Sequence, residues 1–150
     1  MALFLSTHVN KVDVKGRVSV PASFRAALAD QSYQGIVVFS SNRFQCLEGF
    51  AWSYMDEIGS RLDKFDLFSG DQEDLATSIF GDCYQLPFDG EGRVVLPVGL
   101  MEFSRITEQA AFVGLGRKFQ IWDPKVYEKR RDEARANVQK KNLTIPGGSA

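Results

Sequence analysis

Two short strings hold the residue types that can do chemistry. Asp13-Val14-Lys15-Gly16-Arg17 and Asp89-Gly90-Glu91-Gly92-Arg93 each set an Asp four residues before an Arg, with a Gly directly ahead of that Arg. The Gly can adopt positive φ so that the chain reverses, and the Asp carboxylate can accept backbone N–H bonds in the turn or pair with the Arg. An Arg braced in this way is held out stiffly. Its planar guanidinium can make paired hydrogen bonds to a phosphate or to a guanine edge, a geometry that Lys does not offer. Taken singly, D-x-x-G-R is short and common, and one copy alone reads as a hairpin turn with an ion pair across it.

The recurrence carries more. DVKGRVSVPASF (13–24) and DGEGRVVLPVGL (89–100) share Asp13/Asp89, Gly16/Gly92, Arg17/Arg93, Val18/Val94 and Pro21/Pro97 at one constant spacing. Downstream, IVVFSSNRFQCLE (36–48) echoes AFVGLGRKFQIWD (111–123), and matching Phe44-Gln45 to Phe119-Gln120 implies one residue gained or lost between copies. The protein is two copies of one unit.

The same elements must position the loop in each copy. A run with partial alternation (4–12; 83–88) enters the loop and a β-rich run leaves it (17–20; 93–96). Pro21 then opens a short helix over 22–29 from its first turn, and Pro97 opens a weaker one containing Gly99. Strands are predicted at 35–40 and 44–48, and again at 111–115 and 118–122. Between the copies, Trp52, Met55, Ile58, Leu62 and Phe65 keep helical spacing, and a second helix follows from around Ser69-Gly70 to Gly81. Asp123-Pro124 pairs an N-cap with a Pro at the first helical position, and that helix runs to about Val138. The organisation is module one at 7–54, a helical linker at 55–82, module two at 83–126, a C-terminal helix at 127–141 and a disordered tail at 142–150. Units of about 60 residues are marginal alone, so the halves are expected to share one core, through two-fold packing of the copies within the chain or with neighbouring chains.

Charge is unevenly spread. The chain has 18 Lys+Arg against 19 Asp+Glu, a formal net charge of −1. Residues 1–50 carry five basic and three acidic side chains, 51–88 two and eight, 89–124 four and five, and 125–150 seven and three. The linker is therefore acidic and the last helix basic. Lys11, Lys15, Arg17 and Arg25 surround the first loop against Asp13 alone, whereas Asp89 and Glu91 stand beside Arg93. If nucleic acid binds, copy one leads.

At these residues the chain resembles the bacterial MraZ transcriptional regulators, which contain two SpoVT-AbrB-type DNA-binding modules. The resemblance rests on NKVDVKGRVSVPASFR, FDGEGRVVLP and FVGLGRKFQIWD and extends over about 7–126. It implies a β-rich α+β fold of two swapped-hairpin, AbrB-like β-barrel modules with pseudo-two-fold symmetry. It also implies a homo-oligomeric ring, nucleoid association, and binding to repeated double-stranded operator sites upstream of the division and cell-wall gene cluster, its own gene included. The DNA-contacting motif maps to Asp13, Lys15, Gly16 and Arg17, with Lys11 and Arg25 beside it, and more weakly to Asp89, Gly92 and Arg93. Glu91 stands where the first loop has Lys15, and MALFLST lacks the short start with an early Arg and Gly of many members.

Other chemistry lacks a constellation. The single His8 lies in a strand without acidic or Cys neighbours at ligand spacing, and Cys46 and Cys83 are isolated, so no metal, cofactor or catalytic site is expected. Ala2-Leu3-Phe4-Leu5 is too short for a signal core or a span, and the two unpaired thiols point to the cytoplasm. The residues thus predict a non-enzymatic, sequence-specific DNA-binding regulator without a small-molecule substrate. The other reading is a ring-forming protein-interaction scaffold whose DNA binding is weak or incidental, suggested by the near-neutral charge and the aromatic, acidic linker.

Overall fold

The structure, a computed structural model, describes residues 3–66 and 68–147. The first copy contributes β1 (Thr7–Lys11), β2 (Arg17–Ser19), α1 (Ala22–Ala27), β3 (Gly35–Ser40) and β4 (Leu47–Phe50). A short helical turn leads into α2 (Met55–Leu62), and α3 (Gly70–Ala76) continues as a wider turn to Gly81. The second copy supplies β5 (Tyr84–Pro87), β6 (Arg93–Val95), α4 (Val98–Ser104), β7 (Gln109–Gly114) and β8 (Phe119–Trp122), closed by α5 (Pro124–Lys140). The α+β, strand-rich class with two tandem copies is the one expected from sequence.

The copies exchange strands. The large antiparallel sheet has the order β1-β7-β8-β4-β3-β5, and β2 pairs with β6 in a separate ribbon. The order reads the same from either end once β1 is exchanged with β5, β3 with β7 and β4 with β8. Each entry strand thus completes the other copy's sheet. The pseudo-two-fold axis passes through Val18↔Val94 in the ribbon and Glu48↔Gln120 in the sheet.

Alternation decides the faces. Ile36, Val38, Phe112, Phe119 and Ile121 point inward and meet Val18 and Val94 of the ribbon, Phe24 of α1 and Leu100 of α4 in one core. The Phe4 ring reaches this core and lies edge-on to Phe24 and Phe119, with centroids 5.2 and 4.9 Å apart. Gly49 is obligatory there, because a β-carbon would stand 2.2 Å from the Phe119 ring. On the outer face α2 covers Val37, Phe39 and Phe50, and α5 covers Ala111, Val113 and Trp122. On the axis between them the buried Glu48 carboxylate accepts from Ser41 Oγ (2.7 Å), Lys118 Nζ (2.8 Å) and Gln120 Nε2 (3.2 Å).

Several local expectations change. Phe119-Gln120 lies in β8, but Phe44-Gln45 lies in the loop before β4, which begins at Leu47 and not at Phe44. Glu48 faces Gln120, so the β3–β4 loop absorbs two extra residues and the repeated Phe-Gln is not structurally equivalent. Pro21 and Pro97 occupy the N-cap position and not the first helical turn; the Pro21 carbonyl accepts from the Phe24 and Arg25 N–H groups at 2.9 and 3.0 Å. Gly99 does not shorten α4, which has 7 residues against 6 in α1. Asp123 caps α5 as expected, accepting from Lys125 and Val126 N–H, with Pro124 in the first turn. Ser69 likewise caps α3 through Gln72 N–H. Residues 143–147 run without regular structure, and the rest of the expected tail, like Met1 and Ala2, lies outside the described residues.

Candidate nucleic-acid interface

Each D-x-x-G-R loop follows its entry strand and turns directly into the β2–β6 ribbon. In the first, Asp13 Oδ1 accepts from the N–H of Lys15 and of Arg17, both at 2.9 Å, and Oδ2 takes Arg17 Nε at 2.6 Å. Gly16 sits at φ +83° so that its N–H can reach the Asp13 carbonyl, 2.9 Å away. The second loop repeats this bond for bond. Asp89 Oδ1 accepts from Glu91 and Arg93 N–H at 2.9 Å, Oδ2 takes Arg93 Nε at 2.9 Å, and Gly92 has φ +75°. The backbone N–H of Arg17, foremost, holds the Asp13 carboxyl below its ordinary range, and that of Arg93 does the same for Asp89.

Ribbon register places both loops on one surface. Val18 and Val94 point into the core, so Arg17, Ser19, Arg93 and Val95 share the outer face, with Arg17 opposite Val95 and Ser19 opposite Arg93. Val20 N–H bonds to the Gly92 carbonyl and Leu96 N–H to that of Gly16, tying each loop to the other copy's strand. Arg93 is held above its ordinary range by its side-chain bond to Asp89 first, and Asp13 of the opposite loop adds to this.

The two guanidinium groups differ in what is left over. Arg17 spends Nε on Asp13, and among the described residues its two terminal nitrogens have no partner. Arg93 spends Nε on Asp89, and its Nη2 also lies 3.4 Å from Glu91 Oε2. Only the first loop therefore presents an unspent pair of donors, with Lys15 exposed beside it and Lys11 exposed at the end of β1.

Arg25 is not where the sequence placed it. It extends from α1 across the axis to the second loop, donates Nε to the Val20 carbonyl (3.1 Å) and covers Gly92. The matching place over Gly16 is taken by Met101 of α4. The strand exchange causes this: each helix follows its own copy's ribbon strand but ends beside the other copy's loop. An alignment of the repeats supplies the equivalence of Arg25 and Met101, but only the antiparallel ribbon shows that they cross.

His8 lies edge-on to Phe24 at 5.5 Å, and Gly116, at φ +89°, turns the chain between β7 and β8. Among the described residues no group of three His, Cys, Asp or Glu is placed to hold a metal ion, and no helix is long and apolar enough to cross a membrane.

Comparison with known proteins agrees with this architecture. The family model "MraZ protein, putative antitoxin-like" matches residues 3–76 and again 79–144, one match per copy. A protein of Gluconobacter oxydans (strain 621H) named "Transcriptional regulator MraZ" is 44% identical over 142 residues, covering 93% of this chain and 87% of its own length. Proteins of the same name from Gluconacetobacter diazotrophicus and Rickettsia felis are 40% and 42% identical, each over 97% of this chain and over 93% and 97% of their own lengths. With the doubled loop, the exchanged strands and a family match to each copy, the chain belongs to the MraZ family.

Proposed function

We propose that this protein is a sequence-specific, DNA-binding transcriptional regulator that reads double-stranded DNA through its first loop. The observation that carries the reading is the difference between the two arginines. Arg17 is oriented by a carboxylate yet keeps both terminal nitrogens for a phosphate or a guanine edge. Asp13 fixes the guanidinium, Lys15 and Lys11 supply phosphate attraction, and Arg93 has a smaller share because Glu91 competes for it. The names of the relatives support regulation and not catalysis as the role.

The copies assemble into a homo-oligomeric ring whose first loops face DNA from one side, in the cytoplasm at the nucleoid. One exposed loop binds weakly. Adjacent loops on repeated operator sites gain through effective concentration, so repeats upstream of the division and cell-wall gene cluster, including its own gene, are the expected target. Anisotropy titration of a labelled repeat-containing duplex tests the assignment. Arg17→Ala should abolish most binding with the oligomer intact, and Arg93→Ala should cost less. Wild-type affinity in Arg17→Ala would remove the loop from the interface, and sequence-blind binding with a flat salt dependence would favour the scaffold reading.

A further inference from the structure

Val14 stands at the tip of the first loop with its side chain wholly in water, at 103% of full exposure. The Gly16 N–H bonds back to the Asp13 carbonyl, so Val14 and Lys15 are the two central residues of that turn. Neither packing nor turn chemistry calls for a valine there. It buries no surface, and such positions favour Gly, Pro, Asn, Asp or Ser. The second loop does without one. Gly90 holds the matching place, and a β-carbon on it would meet nothing within 4 Å, so the room for a side chain is left unfilled.

The same asymmetry recurs on the ribbon. Arg17 stands opposite Val95, which is 53% exposed, whereas Arg93 stands opposite the hydroxyl-bearing Ser19. Exposed apolar side chains thus gather at the arginine whose terminal nitrogens are unspent, and polar or bare positions at the one that Glu91 engages. Lys15 is exposed next to Val14, and Asp13 bonds both to the Lys15 N–H within the turn and to Arg17 Nε, so tip and guanidinium are held as one body. A cationic rim around an apolar tip fits a polyanion with apolar groups on its surface. The major groove of DNA is such a surface: phosphates line its edges, and among the four bases only thymine puts a methyl group into it.

We propose that Val14 is a specificity-determining residue, packing on the C5-methyl of a thymine next to the base pair that Arg17 reads. The inference rests on the DNA reading given above and names one feature of the sequence recognised. Branching at Cβ leaves valine few rotamers, so little side-chain freedom is lost when the contact forms. The contact also discriminates. Cytosine offers no methyl at that place, and a purine offers its N7 acceptor, which an aliphatic side chain would strip of water without replacing the bond.

Selection from a random double-stranded library, by the wild-type chain and by Val14→Ala in parallel, tests this. The wild type should recover a motif with a T·A pair beside a G·C pair, and Val14→Ala a motif in which that thymine is no longer required. Replacing the thymine by deoxyuridine in the recovered duplex removes only the methyl. Anisotropy titration should show the replacement weakening wild-type binding about threefold to fivefold, the scale of burying one methyl group, and leaving Val14→Ala unaffected. Val14→Ile should keep the wild-type sensitivity, and since position 14 is wholly exposed, both variants should keep the wild-type Tm. A motif without such a thymine, or an equal loss on deoxyuridine replacement in wild type and Val14→Ala, overturns the proposal and leaves Arg17 its role. A wild-type chain that enriches no motif refutes the sequence-specific reading itself, and this inference with it.

Discussion

Arg25 lies so close over Gly92 that a β-carbon on that glycine would stand 2.7 Å from the guanidinium carbon. A residue of the first copy is thereby built into the loop of the second. Arg25 borders the second loop with Asp89, Gly90 and Gly92, the loop that also carries Arg93, and Arg17 with Lys15 belongs to the first.

This grouping predicts how substitutions couple. Arg25→Ala should weaken DNA binding about threefold to tenfold, the scale of about 1 kcal/mol for one exposed ionic contact. Combined with Arg17→Ala its effect should add, and combined with Arg93→Ala it should not, since only the second pair shares a site. Anisotropy titrations of the two double-mutant cycles decide this. Coupling to Arg17 in place of Arg93 would contradict the crossed arrangement.

Gly16→Ala should destabilise the fold. At φ +83° a side chain is strained, and its β-carbon would stand 2.9 Å from the Leu96 carbonyl oxygen that borders the loop. The expected loss is about 1–3 kcal/mol, read as a drop of several degrees in Tm by calorimetry. An unchanged Tm would mean that the loop relaxes at no cost.

The loops should withstand mild acid. Asp13 and Asp89 both titrate below the ordinary carboxylate range, chiefly because of the backbone N–H groups of Arg17 and Arg93. With folded values below the unfolded value of about 3.9, their contribution to stability is complete at neutral pH. It is lost only as pH falls through the lowered folded values. Carboxyl carbon chemical shifts should move, together with the Lys15 and Glu91 amides, at pH below the ordinary Asp range. A midpoint at or above the ordinary Asp value would argue against the hydrogen-bonded turns.

Cys46 should be the slower of the two thiols to alkylate. Burial, with Glu48 adding to it, pushes its pKa up to about 12, so it remains a thiol across the neutral range. Cys83 is also raised by burial but lies half-exposed in a groove beside α2. Mass spectrometry after iodoacetamide treatment at pH 8 should show Cys83 modified first and Cys46 only on unfolding.

Much of this was legible in the sequence because local chemistry dictates it. Gly16, Gly92 and their flanking Asp and Arg residues specify a turn without help from distant contacts, and the Asp123 cap announces α5. The position of Arg25 could not be read in the same way, since it depends on which ribbon strand β2 selects as its partner. Nor could the repeated Phe-Gln be aligned correctly: Phe119 packs inside the core while Phe44 lies outside it under Arg130, whose guanidinium carbon sits 4.3 Å from the ring centroid. Identical letters there reflect different neighbours.

The exchange of β1 and β5 also sets an order of events at the ribosome. Among the described residues Thr7–Lys11 pairs with Gln109–Gly114, far along the chain, and β3 waits for β5 to complete its edge. Contacts so distant in sequence form late and slowly. A nascent chain must therefore hold β1, and the Phe4 ring that belongs in the shared core, without this partner until β7 has been synthesised.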